Sequence, residues 1–511
     1  MTISLKSATI FGIEALPVEV EVDAFRGVPS FNIVGLADKT IQESKERISS
    51  ALKNFNLLSP AKEQRKITVN LAPADIKKEG SFFDLPIALG YLLASKQVRI
   101  NEKVENTLFV GELSLDGRLR PVEGILSIGL MARKFAIKNF VFPKENFSEA
   151  SLIKNLNLFP LSSLKEVIDY LEKEISPVRR EKISLERKNS EFDFNQIKGQ
   201  REAKEALKIA AAGGHNLLMI GSPGSGKTLL AKAFPSILPS LSEEELIEIN
   251  RIYSSVGLIK KRILTERPFR HPHHSSSQIA ILGGGSEPRP GEISLAHRGV
   301  LFLDELPEFA RNVLEGLRQP LEEGEIVVSR ARHSLTFPAK FILLTAMNPC
   351  PCGYYNDPYK ECRCSPREIA RYQKRISGPF LDRIDIQIEV PRIISSQYQE
   401  RREEIESSEE IRRKVEIARK IQVERFRKEN LPFLTNSEMD SKTTEKFAFL
   451  AKEGKDFLEK AVDKYSLSGR SYFKILKVAR TIADLNQREK ISANDIFLAV
   501  NYRTKVSQGL I

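Results

Sequence analysis

Cysteine is scarce in this chain and confined to one place. Four occur in 511 residues, and all fall between Cys350 and Cys364. That is too few and too clustered for a disulfide framework, so the group points to a metal rather than to oxidation. Long apolar runs are also missing, and no stretch approaches the roughly 18 residues that a membrane span requires. The start, Met1-Thr2-Ile3-Ser4-Leu5-Lys6, lacks a charged region followed by an apolar one. No signal peptide is expected, the cytoplasm is the expected compartment, and no membrane partner is foreseen. Acidic residues are in deficit, 67 against 79 lysines and arginines, which leaves a net charge of +12. A positive balance of that size favours a polyanionic partner. With 41% hydrophobic and 29% charged residues the composition is globular, not disordered. The length suits about three domains of roughly 100–200 residues each.

What the chain does carry is Gly221-Ser222-Pro223-Gly224-Ser225-Gly226-Lys227-Thr228, a complete G-x-x-x-x-G-K-T loop. An apolar run, Asn216 to Ile220, precedes it and reads as a buried strand. Leu229 to Phe234 follows and reads as the start of a helix, which is the context the motif needs. The glycines let backbone N–H groups turn inward and cradle phosphates at a helix N-terminus, where the partial positive charge already favours anions. Lys227 is expected to reach the outer phosphates of ATP, and Thr228 to hold Mg2+. A second apolar strand, Gly299 to Leu303, ends in Asp304 and Glu305. Asp304 can bind the magnesium shell, and Glu305 can orient and deprotonate a water aimed at the terminal phosphate. Alone, those carboxylates would read as a solvated strand end; with the loop upstream they read as ATP hydrolysis.

Residues 1–175 alternate strand-like runs (Pro17 to Val22, Ile67 to Leu71, Thr107 to Val110, Asn139 to Phe142) with helical patterns (Thr40 to Phe55, Asp84 to Leu93, Ile125 to Lys134). A compact α/β domain is expected. The stretches Lys77 to Pro86 and Gly111 to Gly124 resemble the proteolytic domain of Lon-type proteases, which places a serine nucleophile and its lysine base there. An unactivated serine is a poor nucleophile, so the chemistry needs both. In register the serine position falls at Phe82 or Phe83 and the lysine position at Leu126, with Ser81 off register. A Lon-like fold without the dyad is expected, and no protease. Residues 176–190 form a basic linker broken by Pro177, read as a solvated tether or a DNA contact.

The expected ATPase domain spans 191–395 and opens on a helix, Arg201 to Ala212. An irregular insert, Pro268 to His297, carries His271, His273 and His274. Pro272 breaks the spacing that would converge them on a metal, so a loop contacting substrate or a neighbouring subunit is expected. Glu325 to Arg330 and Ser334 to Phe337 alternate around a short tip and read as a β-hairpin with Arg330, Arg332 and His333 near its turn. The strand Phe341 to Ala346 leads to Asn348, placed to sense the terminal phosphate. Residues 396–511 read as an all-α lid, beginning with a long charged helix from Ser407 to Glu429.

By this point the chain resembles the magnesium-chelatase-like AAA+ ATPases of the ComM/YifB type. The motifs that carry the resemblance include Ala210 to Asn216, Pro268 to Ser275, Arg289 to His297, Asn348 to Gly353, and Ser468-Gly469-Arg470 with Leu476 to Leu485. The resemblance implies a parallel-sheet AAA+ core, an inactive Lon-like front domain and an α-helical lid. It also implies a homo-oligomeric ring, expected as a hexamer, with ATP sites between subunits. In such rings a neighbour supplies an arginine finger, worth roughly 10³–10⁵ in rate. The matching stretch, Gly378 to Asp385, makes Arg383 the candidate, and Arg470 matches the second sensor. The implied activity is an ATP-driven motor on branched or single-stranded DNA, as in recombination during natural transformation. The basic hairpin tip and the positive stretch from Arg363 through Arg367, Arg371, Lys374 and Arg375 agree with it, since a ring of such copies would funnel backbone phosphates. The alternative is a chelatase-like or chaperone-like remodeller of a protein partner.

The cysteines form two C-x-C pairs, Cys350 with Cys352 and Cys362 with Cys364, separated by nine residues. Structural zinc takes four sulfur or nitrogen ligands, although spacing within a pair is commonly wider. Zn2+ is the expected ion within the insert 350–364, with four free thiols in a loop as the simpler alternative. Its role would be to fold the excursion from Gly353 to Glu361.

Overall fold

The computed structural model describes residues 2–99, 101, 103–180, 192–259, 262–285, 288–329, 334–393, 406–450, 452–465 and 467–507. The chain divides into two compact units, Met1–Leu185 with Glu243–Leu264, and Glu186–Ser242 with Thr265–Ile511.

The first unit is a seven-stranded mixed sheet in the order Ser30–Val34, Arg65–Ala72, Glu14–Arg26, Ile3–Phe11, Thr107–Phe109, Asn139–Pro143 and Asn157–Leu161. Strand alternation sends Val18, Val20, Val22 and Ala24 inward while Glu19 stays exposed. The helix Asp84–Ala94 has no charge after its first residue and is buried on every side, as an all-round apolar helix must be. Its single carboxylate is neutralised by Arg47, whose Nε and Nη2 donate at 2.6 and 3.0 Å, and it also accepts the Leu113 N–H at 3.1 Å. Phe82 and Phe83 are buried with ring centroids 4.8 Å apart, and Leu126 is fully buried on Ile125–Lys134. Ser81 donates to the Glu112 carboxylate. The positions where a Lon-type dyad would stand hold hydrocarbon packed into the core.

Two boundaries differ from the sequence reading. Residues 243–264, expected inside the ATPase segment, pack with the first unit. Ser254 on the helix Glu243–Ser255 donates to the buried Glu149 at 2.6 Å, and Arg251 donates to the Ile13 carbonyl at 3.1 Å. The described start of the linker, 176–180, is exposed but not a free tether, because the Val178 N–H bonds the Leu158 carbonyl at 2.9 Å. Residues 181–190 lie outside the described residues.

The second unit is built on a five-stranded parallel sheet, ordered Phe269–Arg270, Val300–Leu303, Ile342–Met347, Leu217–Ile220 and Ile386–Glu389. Leu217–Ile220 and Val300–Leu303 are buried at every position, the continuous apolar runs that a sheet covered on both faces requires. The helix Arg201–Gly213 packs its alanine-rich face there. The lid begins at Ser408–Lys428, where Ser407 and Glu410 form a capping box. Helices Ser441–Phe447, Lys452–Tyr465, Gly469–Leu485 and Ala493–Ser507 complete it. Val415, Ala418, Ile475 and Ala479 share one apolar core with Leu217 and Met219. Among the described residues no helix is long and apolar enough to cross a membrane.

One ion pair joins strand and lid within that core. Asp385 accepts the Asn216 N–H at 2.9 Å and Lys474 Nζ at 2.5 Å. Asp385→Ala leaves a desolvated ammonium without its partner, at a cost of roughly 3–5 kcal/mol. Scanning calorimetry should show a lowered transition for this unit, partly recovered by adding Lys474→Met. An unchanged transition in the single variant would mean that the pair does not hold the lid.

Candidate nucleotide site

The phosphate loop leaves the C-terminal end of its strand between two parallel neighbours, and Gly226 turns it into the helix Lys227–Ala233. Gly226 has φ +95°, a conformation that a side chain would strain. Lys227 is folded back over the loop. Its Nζ donates to the carbonyls of Gly221 at 2.6 Å and Ser222 at 3.0 Å, and to Asn348 Oδ1 at 3.3 Å. Burial pushes its pKa down to about 8, with the Asp304 carboxylate opposing. Thr228 Oγ1 donates to Asp304 Oδ2 at 2.7 Å. A hydroxyl and a carboxylate oxygen in contact at a phosphate loop are the donor set that Mg2+ takes. Pro223, Gly224 and Ser225 complete the turn, and Gln200 Nε2 braces it through the Ser225 carbonyl at 3.0 Å.

Glu305 stands in the left-handed region at φ +53°. For a residue with a side chain that is uncommon, and such positions cluster at functional sites. Its carboxylate meets His274 Nδ1 at 3.2 Å. The histidine insert thus reaches the Glu305 carboxylate. His271 packs on Phe302 with centroids 4.7 Å apart, and His273 stacks on His274 at 4.1 Å. Among the described residues the cysteines alone form a metal-ligand cluster of three or more such groups, so the three histidines are not one.

Arg383 and Arg470 lie together. Arg383 is buried and bonds the carbonyls of Arg318 at 3.3 Å and Pro379 at 2.5 Å, while both arginines pair with Glu322, at 2.8 and 3.1 Å. The four cysteine sulfurs all lie within 4.8 Å of one another. The hairpin strands are Glu325–Ser329 and Ser334–Pro338; Arg330, Arg332 and His333, expected near its turn, lie outside the described residues. The positive stretch forms a helix, Pro366–Gln373, beside a groove of about 650 Å³ lined by Arg311, Arg367, Arg371, Lys374, Arg375 and Glu308, among others. Sequence reasoning missed Gln200, the His274–Glu305 pair and Asp357, which accepts a bond from Ser222 Oγ at 2.5 Å. Only His274 left a signal, as one of a histidine group.

Fold and site define a P-loop ATPase of the AAA+ class with an α-helical lid. Family profiles match in three places: "Magnesium chelatase, subunit ChlI" over residues 193–398, "Subunit ChlI of Mg-chelatase" over 20–146, and "Magnesium chelatase, subunit ChlI C-terminal" over 405–503. The chain is 45% identical to the competence protein ComM of Haemophilus influenzae over 98% of its own length and 97% of that protein. It is 42% identical to YifB of Escherichia coli over 96% and 95%. A magnesium-chelatase 38 kDa subunit of Rhodobacter capsulatus is 28% identical over 31% of this chain and 50% of its own. The chain belongs to the ComM/YifB family of magnesium-chelatase-like proteins.

Lys227 gives the site a pH dependence. Phosphates beside the amine favour its charged form, so binding takes up a proton wherever the free amine is neutral. Nucleotide affinity is expected to be flat below pH 8. Above it, affinity should fall by up to about tenfold per pH unit. Calorimetry in buffers of different ionisation enthalpy checks this, and the same profile in Lys227→Met would rule Lys227 out as its source.

Proposed function

We propose that the protein is an ATP-driven ring motor that moves single-stranded or branched DNA. The contact of Thr228 with Asp304 beside Lys227 and Asn348 carries the hydrolytic half of this reading. Thr228 and Asp304 would hold Mg2+, which neutralises charge on the transferred phosphoryl group. Lys227 exchanges its loop carbonyls for phosphate oxygens, and Asn348 reports on the outermost one. Glu305, steadied by His274, orients the attacking water and takes its proton. Arg383 serves as the arginine finger to a neighbouring copy in a ring of six once Glu322 releases it, and Arg470, as the second sensor, ties the position of the lid to nucleotide state. The four thiols hold Zn2+.

The groove beside Pro366–Gln373 supports DNA as the substrate, because five cations line it against the single carboxylate of Glu308. The aromatic residue in its lining, Phe309, is buried, so contacts fall on backbone phosphates and lack sequence preference. Similarity over the full length to a relative named for competence agrees with this.

ATP turnover measured with and without single-stranded and branched DNA tests the reading. DNA is expected to stimulate turnover, and Glu305→Gln to lower it by about 10²–10⁴-fold with nucleotide binding retained. Arg367→Glu with Arg371→Glu should weaken DNA binding and flatten its salt dependence while basal turnover survives. Normal basal turnover with neither stimulation nor binding would discard the DNA half and leave a remodeller of a protein partner.

A further inference from the structure

The excursion between the two cysteine pairs has no core of its own: from Gly353 to Glu361, only Gly353 is buried. Something else must hold it in place. Cys350 and Cys352 have sulfurs 3.4 Å apart, and Cys362 Sγ lies 3.7 and 3.6 Å from them. A disulfide needs about 2.05 Å, so these are not oxidised pairs. Four sulfurs around one zinc at about 2.3 Å stand roughly 3.8 Å apart, close to the spacing observed. The Cys352 N–H also points at Cys364 Sγ, at 3.4 Å.

The same excursion lies against the phosphate loop at two independent points. Asp357 uses one carboxylate oxygen to accept the N–H groups of Tyr359 and Lys360, at 2.9 and 3.0 Å. The other accepts Ser222 Oγ at 2.5 Å. Gly353, at φ +86°, lies so close to Pro223 that an added Cβ would sit 2.6 Å from that ring. The near end of the cluster begins two residues after Asn348, and Gln373 Nε2 fastens the intervening Pro349 carbonyl at 3.1 Å.

We infer that the four-cysteine site is a zinc clamp on the nucleotide site: the metal fixes the excursion, and the excursion holds Ser222 and Pro223 in the shape that receives phosphate. This rests on the zinc reading above. The gain is preorganisation, because a loop already ordered loses less freedom when nucleotide binds. Closing the excursion through a metal removes the chain entropy that would otherwise oppose the Asp357 contact.

The test uses the full chain, with metal content read by elemental mass spectrometry and affinity by a fluorescent ATP analogue. One zinc per chain is expected. Asp357→Ala keeps all four thiols, so it should retain zinc yet bind the analogue about fivefold more weakly, as loss of a hydrogen bond implies. Stripping zinc, or Cys362→Ser with Cys364→Ser, should weaken binding at least as much, and restored zinc should rescue the stripped wild type. If the cysteine variant does not fold, Asp357→Ala decides alone. Zinc present with affinity unchanged in Asp357→Ala, or after stripping with unchanged circular dichroism, overturns the clamp and leaves the zinc reading standing. No metal on reduced thiols, or iron in its place, overturns both.

Discussion

The site depends on one buried strand. Leu217–Ile220 is enclosed by parallel neighbours on either side, so the loop at its end has a fixed origin. The same enclosure desolvates Lys227, and a desolvated ammonium must find oxygens. Lys227 finds the carbonyls of Gly221 and Ser222. Phosphate oxygens are stronger partners for a cation than neutral carbonyls. Nucleotide phosphates are therefore expected to draw the lysine away from those carbonyls.

Around that strand the sheet sorts the remaining groups by depth. Asp304, Glu305 and Asn348 stand at the ends of two neighbouring parallel strands, so they open on the same edge as the phosphate loop. That is where parallel α/β sheets place their ligands. Asp385, just before the strand on the other side, faces the opposite way and binds the lid through Lys474. Arg503 with Asp382 and Arg298 with Glu438 add further ion pairs between sheet domain and lid, and Glu322 gathers both Arg383 and Arg470.

Much of this was legible because it is local. The phosphate loop, the Asp304–Glu305 strand end, Asn348 and the cysteine pairs each occupy a few consecutive residues whose types dictate their chemistry. The parallel core and the helical lid follow from continuous apolar runs and from helical periodicity. What escaped is long-range. Ser222 and Asp357 are 135 residues apart, and neither has a neighbour that announces the other. The helix Glu243–Ser255 carries an ordinary amphipathic pattern, which says that it packs but not on which unit. The edge strand Ser30–Val34 is short and only partly buried, so its pattern is weak. Arg383 and Arg470 were found through motif resemblance, but their shared carboxylate lies on a third segment with no signature of its own.

A structure of Glu305→Gln with magnesium and ATP bound tests the central claim most directly. The account predicts that Thr228 and Asp304 separate around the metal and that Lys227 turns from the Gly221 and Ser222 carbonyls to the outer phosphates. Nucleotide seated elsewhere, or a Lys227 still bonded to its own loop with phosphate in place, would contradict it.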